Sequence, residues 1–274
     1  LDPTESTEMV AFRRAVSEWL PPEADRNDDW AVVAAAPTIF ATFESFSEET
    51  RAAIRPPVRE MISGMETFLG RYADEPGIRI QTYEELERYS HYVAGTVGTL
   101  ISNLLTDDQL SAERTREMNR TAEGFGRLLQ LVNIAKDVGA DAIEEDNVYL
   151  PSAWLAEHDV RQSDIRSPEN EEAVGRVVSR LVDHARGYLD NGLRYLEAMP
   201  LRSGNTLSAW AVPYLLAVGT LRELEARPRD AITAEGVKVS RREVFALLEI
   251  ADTMTRDDVA DLRRTISQTP LHER

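Results

Sequence analysis

Two carboxylates, Asp137 and Asp141, stand four residues apart in QLVNIAKDVGAD, residues 130 to 141, at the end of a stripe formed by Leu128, Leu129, Leu131, Val132 and Ile134. On a helix, residues three and four apart share a face, so both acids and Asn133 project together as oxygen donors. Such a set suits a hard divalent cation, because Mg²⁺ is held by one or two carboxylates and completes its shell with phosphate oxygens and water. Without a cation, the two acids repel by a few tenths of a kcal/mol. A diphosphate is the natural co-ligand, and Lys136 beside the acids supplies a cationic partner for it. Taken alone, acids at this spacing also occur on ordinary solvated helix faces.

The elements that position these residues are helical. Apolar residues recur with helical period over 8–20, 30–46, 58–72, 83–105, 113–138, 171–199, 207–226 and 241–257, whereas strand signals are almost absent. The fold class is therefore all-α, and with no repeat or low-complexity linker one domain over residues 1–274 is the economical reading. PPEADRND, RPP at 55 to 57, DEPG at 74 to 77 and EEDNVYLP at 144 to 151 mark expected helix boundaries. Pro37 and Pro213 fall inside apolar runs, where a kink or a boundary is expected. In YSHYVAGTVG, residues 89 to 98, Ala94, Gly95 and Gly98 admit two readings, close helix packing or a groove for a long ligand lined by Tyr89, Val93 and Val97. Gly124 and Gly126 raise the same pair of readings.

Composition narrows the function classes. The 274 residues carry 48 acidic and 31 basic side chains, a formal charge of −17, which disfavours nucleic acid and anionic membrane surfaces as partners. Only Lys136 and Lys238 are lysines. An acidic, lysine-poor surface resembles that of proteins from salt-loving organisms, and GC-rich coding is the alternative source of the arginine bias. The absence of cysteine excludes disulfides and thiolate chemistry. No run approaches the roughly 20 apolar residues of a membrane span, so the expected compartment is the cytoplasm. His91, His158, His184 and His272 show no metal spacing, and no Gly-rich phosphate loop occurs. Lys238, Arg241 and Arg242 form either a solvated basic helix start or a site for a diphosphate or nicotinamide phosphate.

LLQLVNIAKDVGAD followed by NVYLP resembles the second aspartate-rich motif of the squalene/phytoene synthase family, Q-x-x-N-I-x-R-D-x-x-E-D followed by R-x-Y-x-P. YSHYVAGTVG resembles the family's Y-x-x-x-V-A-G-x-V-G segment. APTIFATFESF at 36 to 46 and GVKVSRREV at 236 to 244 match more loosely, the latter resembling G-x-V-K-I-R-K-G of squalene synthases. The resemblance implies an isoprenoid-synthase helical bundle around an apolar channel, joining two prenyl diphosphates head to head. By its motifs, Asp137, Asp141 and Asn133 would hold Mg²⁺ on the diphosphate, with Gln130 completing the polar floor. Tyr89 would sit near the reacting carbons, Val93, Val97 and Gly98 would line the channel, and Lys136 and Tyr149 would contact substrate. Lys238 and Arg241 would bind NADPH. The resemblance thus implies squalene synthesis from two farnesyl diphosphates, with phytoene or dehydrosqualene synthesis without reductant as the neighbour and a non-catalytic scaffolding member as the rival. A monomer is expected, and product release is compatible with a peripheral membrane contact.

The departures are specific. Lys136 stands for the family's Arg, losing the bidentate fork, Ala140 for its Glu, and Asn147 for its Arg. The first aspartate-rich motif, of D-T-x-E-D type, has no counterpart in residues 1–30, where Asp25, Asp28 and Asp29 read as a solvated loop and helix cap. With Leu1 in place of an initiator Met, an N-terminally truncated chain is expected.

Overall fold

The computed structural model describes residues 7–23, 28–106, 110–200 and 206–273. Among them the architecture is all-α, as the periodicity predicts. The helices are α1 (Thr7–Trp19), α2 (Asp28–Glu44), α3 (Glu48–Arg71), α4 (Tyr83–Ser90), α5 (Thr96–Leu105), α6 (Ala112–Lys136), α7 (Val138–Glu144), α8 (Ser152–Ala156), α9 (Glu171–Arg186), α10 (Leu189–Ala198), α11 (Thr206–Ala226), α12 (Arg241–Ala251) and α13 (Arg256–Ile266). Their starts are chemically marked: the hydroxyls of Thr82 and Ser240 accept from the backbone N–H groups of Glu85 and Glu243, and Thr255 with Asp258 forms a reciprocal capping box.

The chain forms two compact units, Leu1–Arg55 and Pro56–Arg274. In the first, Phe12 of α1 meets Phe40 of α2 edge to face at 5.0 Å. The boundary expected at RPP is not a helix end: α3 runs through Pro56 and Pro57, and Pro57 is buried. The loss of two backbone donors there is tolerated by a helix that continues on both sides, although the division between the units falls at this proline pair. Pro37 and Pro213 likewise lie inside α2 and α11.

In the second unit α6 is central. Met118, Phe125, Leu128, Leu131 and Ile134 are fully buried among Val174, Val178 and Leu181 of α9, Tyr195 and Leu196 of α10, and Tyr214 and Leu215 of α11. The predicted helix 83–105 is interrupted by one π-helical turn, His91–Gly95, in which the Thr96 N–H donates to the His91 carbonyl. Beside it, side chains are absent where backbones touch: a Cβ on Gly98 would lie 2.1 Å from the Ala122 carbonyl oxygen, and one on Gly126 would lie 2.1 Å from that of Ala94. These two glycines let the α5 segment and α6 meet backbone to backbone.

Two extended segments add a single parallel bridge, Arg79 to Val148, with Val148 N–H donating to the Ile78 carbonyl at 2.8 Å and Ile80 N–H to the Val148 carbonyl at 3.2 Å. The bridge fixes the stretch that carries Asn147 and Tyr149 against the start of α4. No helix among the described residues is long and apolar enough to cross a membrane.

Candidate active site

The expected single helix through Asp137 is broken at that residue. Helix α6 ends at Lys136, Asp137 takes φ −113 and ψ 20, and α7 starts at Val138. The cause is tertiary. The Lys136 carbonyl accepts from the Val237 N–H at 2.9 Å, so the segment before α12 caps the end of α6. Gly236 makes that approach with φ +61, and a Cβ there would lie 2.4 Å from the Lys136 carbonyl oxygen. The Asp137 N–H still donates to Asn133 and the Asp141 N–H to Asp137, at 3.1 and 2.8 Å, so Asp141 stays one turn beyond Asp137.

Around this break the sequence-predicted residues fall into two corners. In one, Asp141, Asn147 and Tyr149 border a crevice too narrow for water, walled by Ile134, Val138 and Leu150. The Tyr89 and Tyr149 hydroxyls are 3.1 Å apart and their rings stack at 5.0 Å. Asn147 donates to the Tyr149 oxygen at 3.1 Å. Burial, then the neighbouring Asp137 and Glu145 charges, push the Asp141 carboxyl up to about 7, with Lys136 opposing. Burial also holds both tyrosine hydroxyls in their neutral form.

In the other corner, a cavity of about 340 Å³ opens between α6 and α11. Leu129, Val132, Leu216 and Val239 give it apolar walls, and Asn133, Lys136 and Lys238 give it polar ones. The chain's two lysines thus share one cavity. Asp137 lies at the junction: its carboxylate pairs with the Lys136 ammonium, and its Oδ1 would be 2.9 Å from a Cβ on Gly236. Lys136, expected as a phosphate partner, already neutralises an acid here.

Other expectations fare differently. At Gly98 the α6 backbone occupies the place of a side chain, so this glycine has a packing role. Val93, Val97 and Gln130 are half-buried and line neither cavity. Arg241 is exposed at the start of α12, outside the cavity lining. Asp28 and Asp29 open α2, and Asp25 lies outside the described residues. Among the described residues no group of three or more His, Asp or Glu side chains is arranged to hold a metal ion. The two aspartates are hard oxygen donors one turn apart, so they fit Mg²⁺ when substrate phosphate and water supply the other ligands.

Sequence reasoning missed the structural part played by Asn147, although an Asn two residues before Tyr149 in an extended stretch shares its side, which is a usable signal. It also missed the part played by His91, whose ring nitrogens face Glu123 at 2.8 Å and Glu60 at 3.0 Å, while Arg127 ties Glu123 to Glu87.

A family model described as squalene/phytoene synthase matches residues 2–243. The chain belongs to the squalene/phytoene synthase family. Within this family of prenyl transferases it is 36% identical over 135 residues to the 15-cis-phytoene synthase of Enterobacter agglomerans, covering 49% of this chain and 41% of that protein. It is 26% identical over 196 residues to the squalene synthase of Homo sapiens, covering 72% of this chain and 45% of that one. The chain therefore spans less than half the length of these relatives. The solved structure of TcSQS with the ligand BPH1237 superposes with a TM-score of 0.73 at 18% identity, covering 97% of this chain and 82% of that one. A dehydrosqualene synthase structure superposes with a TM-score of 0.57 at 20% identity, covering 89% and 77%. At those identities the likeness establishes the shared helical fold.

Proposed function

We propose that this squalene/phytoene synthase family member takes part in the head-to-head condensation of two farnesyl diphosphates to presqualene diphosphate and its NADPH-dependent reduction to squalene. The observation that carries the reading is the shared cavity. A pocket with hydrocarbon walls, the Lys238 ammonium and the Lys136–Asp137 ion pair at its polar side suits a ligand that is apolar at one end and anionic at the other.

In this reading Asp137 and Asp141 would hold Mg²⁺, which when bound would supply Lewis-acid neutralisation of diphosphate charge. Asn133 and Lys136 contact the diphosphate from the other corner. The Tyr89 and Tyr149 pair, kept protonated by burial, is assigned to the reacting end, where neutral hydroxyls can donate hydrogen bonds without adding charge. The apolar walls exclude water from carbocations. Lys238, exposed at the cavity edge, with Arg241 on the next turn, presents cations for the phosphates of NADPH, which supplies a hydride when bound. We further propose adaptation to high salt, on the strength of the acidic, lysine-poor composition, in a cytoplasmic monomer.

A second reading, phytoene synthesis from geranylgeranyl diphosphate without reductant, is favoured by the 36% identity to a phytoene synthase. Product analysis of the full-length protein, in Mg²⁺ and molar KCl with either prenyl diphosphate and with or without NADPH, separates them. Squalene formed only from farnesyl diphosphate with NADPH supports the proposal. Phytoene from the longer substrate replaces it with the second reading, and no product from folded protein favours a non-catalytic scaffold.

A further inference from the structure

Asn147 stands where the family motif carries an arginine, and its bonding in this chain is over-determined. The backbone N–H of Ile78 can only donate, and it donates to Oδ1 of Asn147 at 2.8 Å. The Glu145 carboxylate can accept, and it accepts from Nδ2 at 2.8 Å. Both partners therefore dictate the same orientation of the amide, with the NH₂ group toward Glu145 and Tyr149. The remaining N–H donates to the Tyr149 hydroxyl oxygen at 3.1 Å.

A phenolic oxygen has one proton and two lone pairs. With one lone pair committed to Asn147 and the other accepting from the Tyr89 hydroxyl at 3.1 Å, Tyr149 has its own proton left to direct toward the Asp141 side of the crevice. The ring has little freedom to swing elsewhere, since it stacks on Tyr89 at 5.0 Å and its chain segment is pinned by the backbone bonds of Val148 with Ile78 and Ile80. We propose that Asn147 is a positioning residue that sets the direction of the Tyr149 proton, and through it the Tyr89 and Tyr149 pair, using a neutral amide in place of a guanidinium. The inference rests on the reading of the tyrosine pair as the hydrogen-bond-donating end of the site, but its geometry stands independently of the product formed.

Asn147→Asp separates positioning from scaffolding, because it keeps the acceptor for Ile78 and removes the donor to Tyr149. The full-length protein, labelled at the tyrosine ring carbon that bears the hydroxyl, is compared by NMR with its Asn147→Asp and Asn147→Ala variants. In Asn147→Asp the Ile78 amide stays protected, the Tyr89 and Tyr149 resonances move, and kcat falls about ten-fold or more at unchanged KM. Unmoved tyrosine resonances in the folded variant overturn the proposal, and so does a wild-type kcat. Should the added charge beside Glu145 prevent folding, the side-chain amide signal of Asn147 in the wild type must move on Tyr149→Phe, and an unmoved signal overturns the proposal equally. Wild-type protein that makes no product refutes the synthase reading instead, while the tyrosine signals still decide whether Asn147 orients the pair.

Discussion

Replacing Asp141 by Asn should make the protein more stable at alkaline pH and impair its chemistry. Burial and the charges of Asp137 and Glu145 raise the Asp141 carboxyl from 3.8 to about 7 in the folded chain. A carboxyl raised on folding stabilises the native state while it is protonated, and that contribution is lost as pH climbs from about 4 through about 7. At about 1.36 kcal/mol for each pH unit, the ceiling on the penalty is about 4 kcal/mol. Asp141 is only half-buried, so solvent and salt screening reduce this to about 1–2 kcal/mol. For a chain of this size, that corresponds to a rise in Tm of about 2–8 °C for Asp141→Asn. Circular dichroism melts in chelator, at about pH 5 and about pH 8, measure it. The gain should be present at the higher pH and largely absent at the lower one. A variant no more stable than wild type at high pH would refute the charge argument, and an equal gain at both would assign it to packing. Added Mg²⁺ should stabilise the wild type more than the variant, since the cation competes with the proton for the same oxygens.

Gly98→Ala, which would place a methyl group 2.1 Å from a backbone carbonyl oxygen, should cost about 1–3 kcal/mol or more by denaturant titration; an unchanged midpoint would show that α5 and α6 need not touch. Asp137→Asn should lower turnover by about two orders of magnitude and raise the Mg²⁺ requirement, while wild-type turnover would remove the metal role assigned to it. Lys238→Ala should raise the KM for NADPH and let presqualene diphosphate accumulate with the condensation step intact; equal loss of both steps would place Lys238 at the prenyl diphosphate instead.

Helical period was sufficient to locate the large elements, because the apolar stripe of a helix such as α6 is written in consecutive residues and its caps in Ser, Thr and Glu at fixed spacing. The same local logic placed Asp137 and Asp141 one turn apart, whereas Tyr89 and Tyr149 were legible as site residues only through the family resemblance. What it could not contain was anything decided by residues far away in the chain. The break at Asp137 exists because Val237, a hundred residues on, takes the Lys136 carbonyl, and a helix-period argument has no term for that donor. Gly98 was ambiguous in sequence because absent side chains look the same whether a ligand or another backbone fills the space, and the close approach of the Ala122 carbonyl is visible only in three dimensions. Asn147 reads as a missing arginine until Ile78, Glu145 and Tyr149 are seen around it. The sequence determined which side chains could do chemistry and on which helices they ride; the tertiary structure decided which of them meet, because hydrogen bonds and burial depend on distance in space and not on separation along the chain.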